Sequence, residues 1–265
     1  MLRVLFRSGL RKRSAAVAMG ALCAVVVAPM QMGASATANG LGSTGATTPT
    51  TFAQSLLPRT DCLTSVPNVY PQYLAAIPAY TRQIIVSRGV DRRSADNLFE
   101  RWQKVGGCWQ MLDALWSYNG ANGWHVRPWS GSLRSPIGVF SLTDAGGRLP
   151  NPGTTLRYHY GPAKYERGGY KIDYPVQLYN YVVAINYNRR IGKPPRDERQ
   201  PDLTTGSGYW IHQRGLGVTR GCLSLTKPQL RVLLQWLRRA DRPYIVMGPQ
   251  AMIGGLYEGF SDPYS

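Results

Sequence analysis

Acidic residues are scarce in this chain. It has 14 Asp and Glu against 31 Lys and Arg in 265 residues, a formal net charge of +17. Histidine is scarcer still, with three, and no Cys-x-x-Cys occurs among the four cysteines, so no zinc-type ligand cluster is visible. Cofactor motifs are absent as well, and the reading implies no metal and no cofactor. The longest apolar run, Ala15 to Val27, is short for a bilayer-spanning helix. The 29 Gly follow no strict period, which excludes a collagen-like chain. A hydrophobic share of 43% excludes a mostly disordered one.

What is present points first to export. Arg3, Arg7, Arg11, Lys12 and Arg13 precede the apolar run, Pro29 breaks it, and Ala34-Ser35-Ala36 and Ala36-Thr37-Ala38 offer small-x-small cleavage sites. This is the three-part pattern of a secretory signal, expected over residues 1–38. Cleavage there leaves 26 basic residues that still outnumber the acids by 12. The mature protein is expected outside the cytoplasm, secreted or in the cell wall. There a basic surface meets anionic wall polymers and peptide carboxylates, rather than nucleic acid. Residues 39–58, rich in Gly, Ser, Thr and Pro, read as a flexible linker. A single domain is expected over 59–250, with a tail over 251–265.

Within the domain, short apolar runs are bounded by Gly, Pro or Asn, as strands are. They are Gln83 to Val86, Gly138 to Leu142, Leu178 to Tyr187, Gly208 to His212, Cys222 to Leu225 and Tyr244 to Met247. The run Trp109 to Tyr118 fits either strand or helix. A helix is expected from Ser94, with Ala95, Leu98, Phe99, Trp102 and Val105 on one face and Gly106-Gly107 as its stop. A second begins at Thr226-Lys227-Pro228-Gln229, a capping-box pattern. Its stripe is Leu230, Leu233, Leu234 and Leu237, and Arg238 and Arg239 fall in its last turn. The fold class is therefore mainly β with two or three short helices.

One constellation suits chemistry. Gly206-Ser207-Gly208-Tyr209-Trp210-Ile211-His212 reads as a strand ending in His, and Cys222 stands ten residues later in Thr219-Arg220-Gly221-Cys222-Leu223-Ser224. A strand, a Gly-bearing loop and a second strand would make His212 and Cys222 neighbours, as a thiol nucleophile and its base require. The spacing alone also fits a buried small thiol and a core histidine. Gly221, without a Cβ, would admit a carbonyl to the backbone N–H of Cys222 and its neighbour. Arg220 beside the thiol would lower its pKa or pair with a substrate carboxylate. His125 and His159 read as surface residues.

These segments resemble the signature of the L,D-transpeptidase catalytic domain family (YkuD-like), in its secreted actinobacterial-type branch. Ser135-Pro136-Ile137-Gly138-Val139-Phe140, Tyr179-Asn180-Tyr181, Asn186-Tyr187-Asn188 and the closing Gln235 to Gly248 stretch add to the likeness, which spans about residues 80–248. Arg220 stands where many members have His, and the His-to-Cys spacing is shorter than in many.

The resemblance implies a β-sandwich-like fold and a secreted cysteine acyltransferase acting on peptidoglycan stem peptides. Cys222 would be the nucleophile and His212 the base. Gly221, Arg220, Thr219, Tyr209 and Trp210 would form the oxyanion and substrate contacts. The same pair would serve an L,D-carboxypeptidase, with water as acceptor. A non-catalytic wall-binding domain using Tyr209, Trp210, Trp124 and Trp129 is the reading from another class. Loss of Cys23 with the signal leaves Cys62, Cys108 and Cys222. A nucleophilic Cys222 must stay unbonded, which selects a Cys62–Cys108 disulfide.

Overall fold

A computed structural model describes residues 62–165, 177–197 and 199–255. The export segment and linker expected over 1–58 lie outside these residues. The described chain is mainly β. Its strands are β1 (Gln83–Gly89), β2 (Asp96–Val105), β3 (Cys108–Tyr118), β4 (Trp124–His125), β5 (Ser135–Pro136), β6 (Gly138–Ser141), β7 (Asp144–Gly147), β8 (Arg157–Tyr160), β9 (Val182–Ala184), β10 (Trp210–Gln213), β11 (Leu223–Leu225) and β12 (Tyr244–Pro249). Three short helices join them: α1 (Pro71–Ala75), α2 (Lys227–Trp236) and α3 (Gln250–Ile253).

Ten strands form one mixed sheet in the order β6-β12-β1-β2-β3-β11-β10-β9-β7-β8, and β4 pairs with β5. Ile85, Val86 and Phe99 from one half of the sheet share a core with Ala145, Val183, Ile211, Leu223 and Leu225 from the other, and the leucines of α2 join it. The sheet is thus curled on itself, sandwich-like, around a common interior. Asn186 helps hold the curl closed. Its side chain donates to Ser141 Oγ at the end of the edge strand β6 and to Thr143 Oγ1 just beyond it, both at 2.9 Å.

The helix expected from Ser94 is a strand. Residues 96–105 are β2, antiparallel to β1 and β3. Gly106 and Gly107, with φ of 57° and 90°, form the two-residue hairpin turn into β3 rather than a helix stop. Every position from Asn97 to Trp102 is buried, so no two-residue alternation marks the strand. Its charges are neutralised in place. Arg88 of β1 meets Glu100 at 2.9 and 3.2 Å, and Trp102 Nε1 donates to the same carboxylate. Ser94 instead closes a turn with Asp91.

The capping box at Thr226 and Gln229 forms, and α2 buries Leu230, Leu233 and Leu234. The helix ends at Trp236, so Arg238 and Arg239 lie beyond its last turn, at the start of the 3₁₀ turn Arg239–Asp241. The first residues of the expected tail pack onto the domain: Ile253 is fully buried and accepts from the Tyr70 N–H at 2.8 Å. A Cys62–Cys108 disulfide ties the described N-terminal segment to the start of β3. Among the described residues no helix is long and apolar enough to cross a membrane.

Candidate active site

β10 and β11 run parallel, with Ile211 level with Leu223 and His212 level with Ser224. The same register sets Trp210 level with Cys222, one residue before β11. Residues level with one another across a sheet share a face, and the face alternates along each strand. Ile211, Leu223 and Leu225 therefore fill the core. Trp210, His212, Cys222 and Ser224 occupy the other face, where Trp210, Val182, Ala184 and Tyr165 form a second cluster with Tyr179 and Cys222 against it. Cys222 and His212 lie on that face of adjacent strands, offset by two residues, which is roughly 8 Å in backbone terms.

The Cys222 sulfur receives the Trp210 backbone N–H at 3.4 Å and lies 3.8 Å from the Gly208 carbonyl. Burial pushes the thiol up to about 11, and the Trp210 N–H offsets only part of that. The lowering expected from Arg220 does not occur: Arg220 is exposed, and solvent screens it. The buried His212 has Nδ1 2.8 Å from the Gln213 carbonyl. With the proton on Nδ1, the lone pair of the neutral ring resides on Nε2, the form a base needs. Tyr179 presents its ring edge-on to both His212 and Trp210, with centroids at 5.5 and 5.0 Å.

The loop before Cys222 is held from several sides. Thr219 Oγ1 donates to the Cys222 carbonyl at 2.6 Å and accepts from the Gly221 N–H at 3.1 Å. Thr219 also bridges to Gly120. The Gly221 carbonyl accepts from Ser135 Oγ at 2.8 Å. The Gly221 N–H is therefore engaged by Thr219. Gly221 has φ of 133°, and a Cβ there would stand 2.7 Å from the Tyr209 ring and 2.8 Å from the Arg134 carbonyl. Its lack of a side chain serves this packing. Tyr209 lies on the core side, against Tyr187. Of the expected contacts, Trp210 adjoins the thiol, Thr219 and Gly221 shape its loop, Tyr209 packs against Gly221 near the thiol, and Arg220 is exposed beside it.

His125 pairs edge-on with Trp129 and accepts the Arg127 N–H. His159 is not the surface residue expected. It is half-buried in β8, with Nε2 3.6 Å from Asp144. Burial lowers its pKa despite that carboxylate.

Beside Trp210, the Cys222 face carries Tyr165, Ser224 and Arg214, which sequence reasoning did not single out. Trp210 Nε1, Tyr165 OH and Ser224 Oγ are buried polar atoms without a hydrogen-bond partner, as is Arg214 Nε two residues past His212. Arg214 stacks on Tyr118, centroid distance 4.8 Å, and donates to the Trp116 carbonyl. Burial pushes the Tyr165 phenol up to about 12, so it remains a neutral donor. Such groups cost free energy unless a polar ligand meets them.

No protein-family model matches the chain, and no curated protein matches it. Among solved structures, it is similar to that of Bdellovibrio bacteriovorus Bd1075. The TM-score is 0.36 at 17% identity, covering 72% of this chain and 52% of that one. The chain thus aligns over about half the length of that protein, and no residue role is taken from it.

Proposed function

We propose that this protein is an L,D-transpeptidase-like cysteine acyltransferase acting on peptidoglycan stem peptides outside the cytoplasm. The observation that carries the reading is the placement of Cys222 and His212 on one face of adjacent parallel strands, with His212 Nδ1 against the Gln213 carbonyl. A thiol with its pKa near 11 is protonated at neutral pH, so the sulfur needs a base at the moment of attack. His212 Nε2 takes the S–H proton while the sulfur–carbonyl bond forms. The Cys222 N–H is the backbone donor suited to the resulting oxyanion, since that of Gly221 is engaged.

Collapse of the tetrahedral intermediate breaks the C–N bond, and the imidazolium returns its proton to the departing amine, the terminal D-amino acid. The thioester then passes its acyl group to an amine of a second stem, whose proton His212 removes, and the thiol is regenerated. The unpartnered Trp210 Nε1, Tyr165 OH and Arg214 Nε support the reading, because a peptide supplies carbonyl and carboxylate oxygens for them.

Mass spectrometry of the protein incubated with disaccharide tetrapeptide tests it. The expected result is an acyl adduct on Cys222, loss of D-Ala and a cross-linked dimer. Trimmed tripeptide alone would make water the acceptor. No adduct and no turnover, or undiminished turnover by Cys222→Ala, would overturn the reading.

A further inference from the structure

A concave site apart from the Cys222 face lies at the seam where the ends of the curled sheet approach. It is a cavity of about 220 Å³, lined by Arg157 of β8, Arg239 and Arg242 around the 3₁₀ turn, Tyr80, Tyr244 of β12 and Ile191. It shares no lining residue with the Cys222 face. Along the sheet, Cys222 stands level with Trp210, Ala184, Asp144 and Arg157 in turn. Four strand spacings of about 4.8 Å put Arg157 roughly 19 Å from the nucleophile measured along the curved sheet.

Three arginines line one small cavity against a single acid, Asp144, whose Oδ2 is taken up by its neighbours and whose Oδ1 lies 3.6 Å from His159 Nε2 without a hydrogen bond. Asp144, the one acid in the lining, is fully buried and bound by Arg189 at 3.0 Å and the Gly192 N–H at 2.9 Å. Burial, the largest influence on its carboxyl, is outweighed by Thr143, Arg189 and Gly192, so it stays ionised on their behalf. Asp241, between Arg239 and Arg242, pairs with Arg82 at 3.7 Å. Arg157 donates to the Gly192 carbonyl, and Arg242 stacks on Tyr80 with its guanidinium 5.5 Å from the ring centroid. Neither contact supplies negative charge. Three arginines gathered in excess of the one acid in the lining repel one another, and an oxyanion relieves that repulsion. Planar guanidinium forks match phosphate and carboxylate oxygens two at a time.

The rim narrows the ligand further. Tyr80 and Ile191 are 64% and 61% exposed, so apolar groups share the rim with the arginines, over the buried Leu142 and Asp144. The volume lies below the roughly 300–1,000 Å³ of drug-sized sites, which suits one charged ring or its equivalent rather than a folded partner.

We propose that this seam pocket binds an oxyanion, phosphate or carboxylate, carried on a single sugar-sized body. The proposal does not depend on Cys222 being a nucleophile. Because the arginines are exposed, binding is expected to weaken steeply with salt.

The test is titration of the protein at low ionic strength with N-acetylglucosamine 1-phosphate, glucuronate and neutral N-acetylglucosamine, followed by calorimetry and by NMR of arginine Nε–H signals. Arg239→Gln with Arg242→Asn is compared with Arg92→Gln with Arg231→Gln, which removes the same charge from exposed positions outside the pocket. The expected result is saturable binding of one or both anions, weakened at least tenfold in the pocket variant and less than twofold in the control. A preference between the two anions assigns the ligand to sugar phosphates or to uronates. Equal losses in both variants, no saturable binding, or equal binding of the neutral sugar would overturn the proposal. If the pocket variant does not fold, the wild-type spectra decide: shifts confined to Arg157, Arg239 and Arg242 sustain the site, and shifts spread over other arginines refute it.

Discussion

Trp210 gives its backbone N–H to the sulfur of Cys222 at 3.4 Å, and this single bond faces the cost of burying a thiolate. Burial wins, with the thiol near 11 against about 8.5 for a free cysteine. Alkylation by iodoacetamide at pH 7, without substrate, is expected to run on the order of 10²-fold slower than for an exposed cysteine. It should climb steadily through pH 9 and 10. Linkage has a definite sign. The unfolded thiol loses its proton first, so this group's contribution to stability is complete below about pH 8.5 and declines as pH rises toward 11. An alkylation plateau below pH 7 would instead reveal a preformed thiolate–imidazolium pair.

His212 meets the Gln213 carbonyl through Nδ1, so the chemistry assigned to it belongs to Nε2. His212→Gln keeps a hydrogen-bonding group and loses basicity. Turnover of a tetrapeptide donor is expected to fall by about 10²–10⁴. The neutral-pH limb of the rate profile should vanish, while the slow alkylation of Cys222 changes little. An unchanged turnover profile would remove His212 from the mechanism.

Thr219 holds both ends of the turn that presents Cys222, accepting from the Gly221 N–H and donating to the Cys222 carbonyl. Thr219→Val keeps the shape and leaves both groups without their partner. A loss of about 1–3 kcal/mol in unfolding free energy is expected. Acylation should slow as the loop loosens. Thr219→Ser should restore stability and rate together. If Val and Ser behave alike, the hydroxyl does not hold this turn.

The disulfide closes a long loop, with a sequence separation of 46 between Cys62 and Cys108. Reduction is expected to cost about 4 kcal/mol in the chain-entropy model. In a denatured chain that begins at residue 39 and so lacks Cys23, one thiol should titrate before reduction and three after it. A denatured, unreduced chain with three reactive thiols would contradict the bridge.

Much of this architecture is legible in the residues, and the exceptions have physical causes. Strands such as β1 and β12 announce themselves because Ile84-Ile85-Val86 and Ile245-Val246 are β-branched runs bounded by turn residues. Cys222 and His212 are legible as a pair because only a loop separates two short parallel strands. β2 misleads because its burial on both faces erases alternation, and Ala95, Leu98, Phe99, Trp102 and Val105 happen to match a helical stripe. Burial of Glu100 and Arg101 depends on partners on other strands, Arg88 on β1 and Asp113 on β3. The grip of Ser135 on Gly221 spans 86 positions, and no local pattern encodes it. The same holds for the seam pocket, whose arginines come from chain segments that only the curl of the sheet gathers.

The pairing of Arg88 with Glu100 yields a sharper test of that distant burial. Their side chains are 1% and 2% exposed, and Arg88 also donates to the Asn68 and Pro67 carbonyls and to Gln250. Glu100→Gln preserves shape and takes the Glu100 countercharge from a buried guanidinium. A cost of about 3–5 kcal/mol is expected, because the charge cannot regain its hydration. Arg88→Met should cost a similar amount by stranding Glu100, which would keep only Trp102 Nε1 as a donor from this group of contacts. The double variant Arg88→Met with Glu100→Met removes both charges at once. It should be less destabilised than the sum of the single losses, since neither charge remains to be stranded. Urea unfolding of the four proteins measures the difference. Strict additivity would mean that the two residues act separately, and that the ion pair does not explain how β2 carries charge through the interior of the sheet.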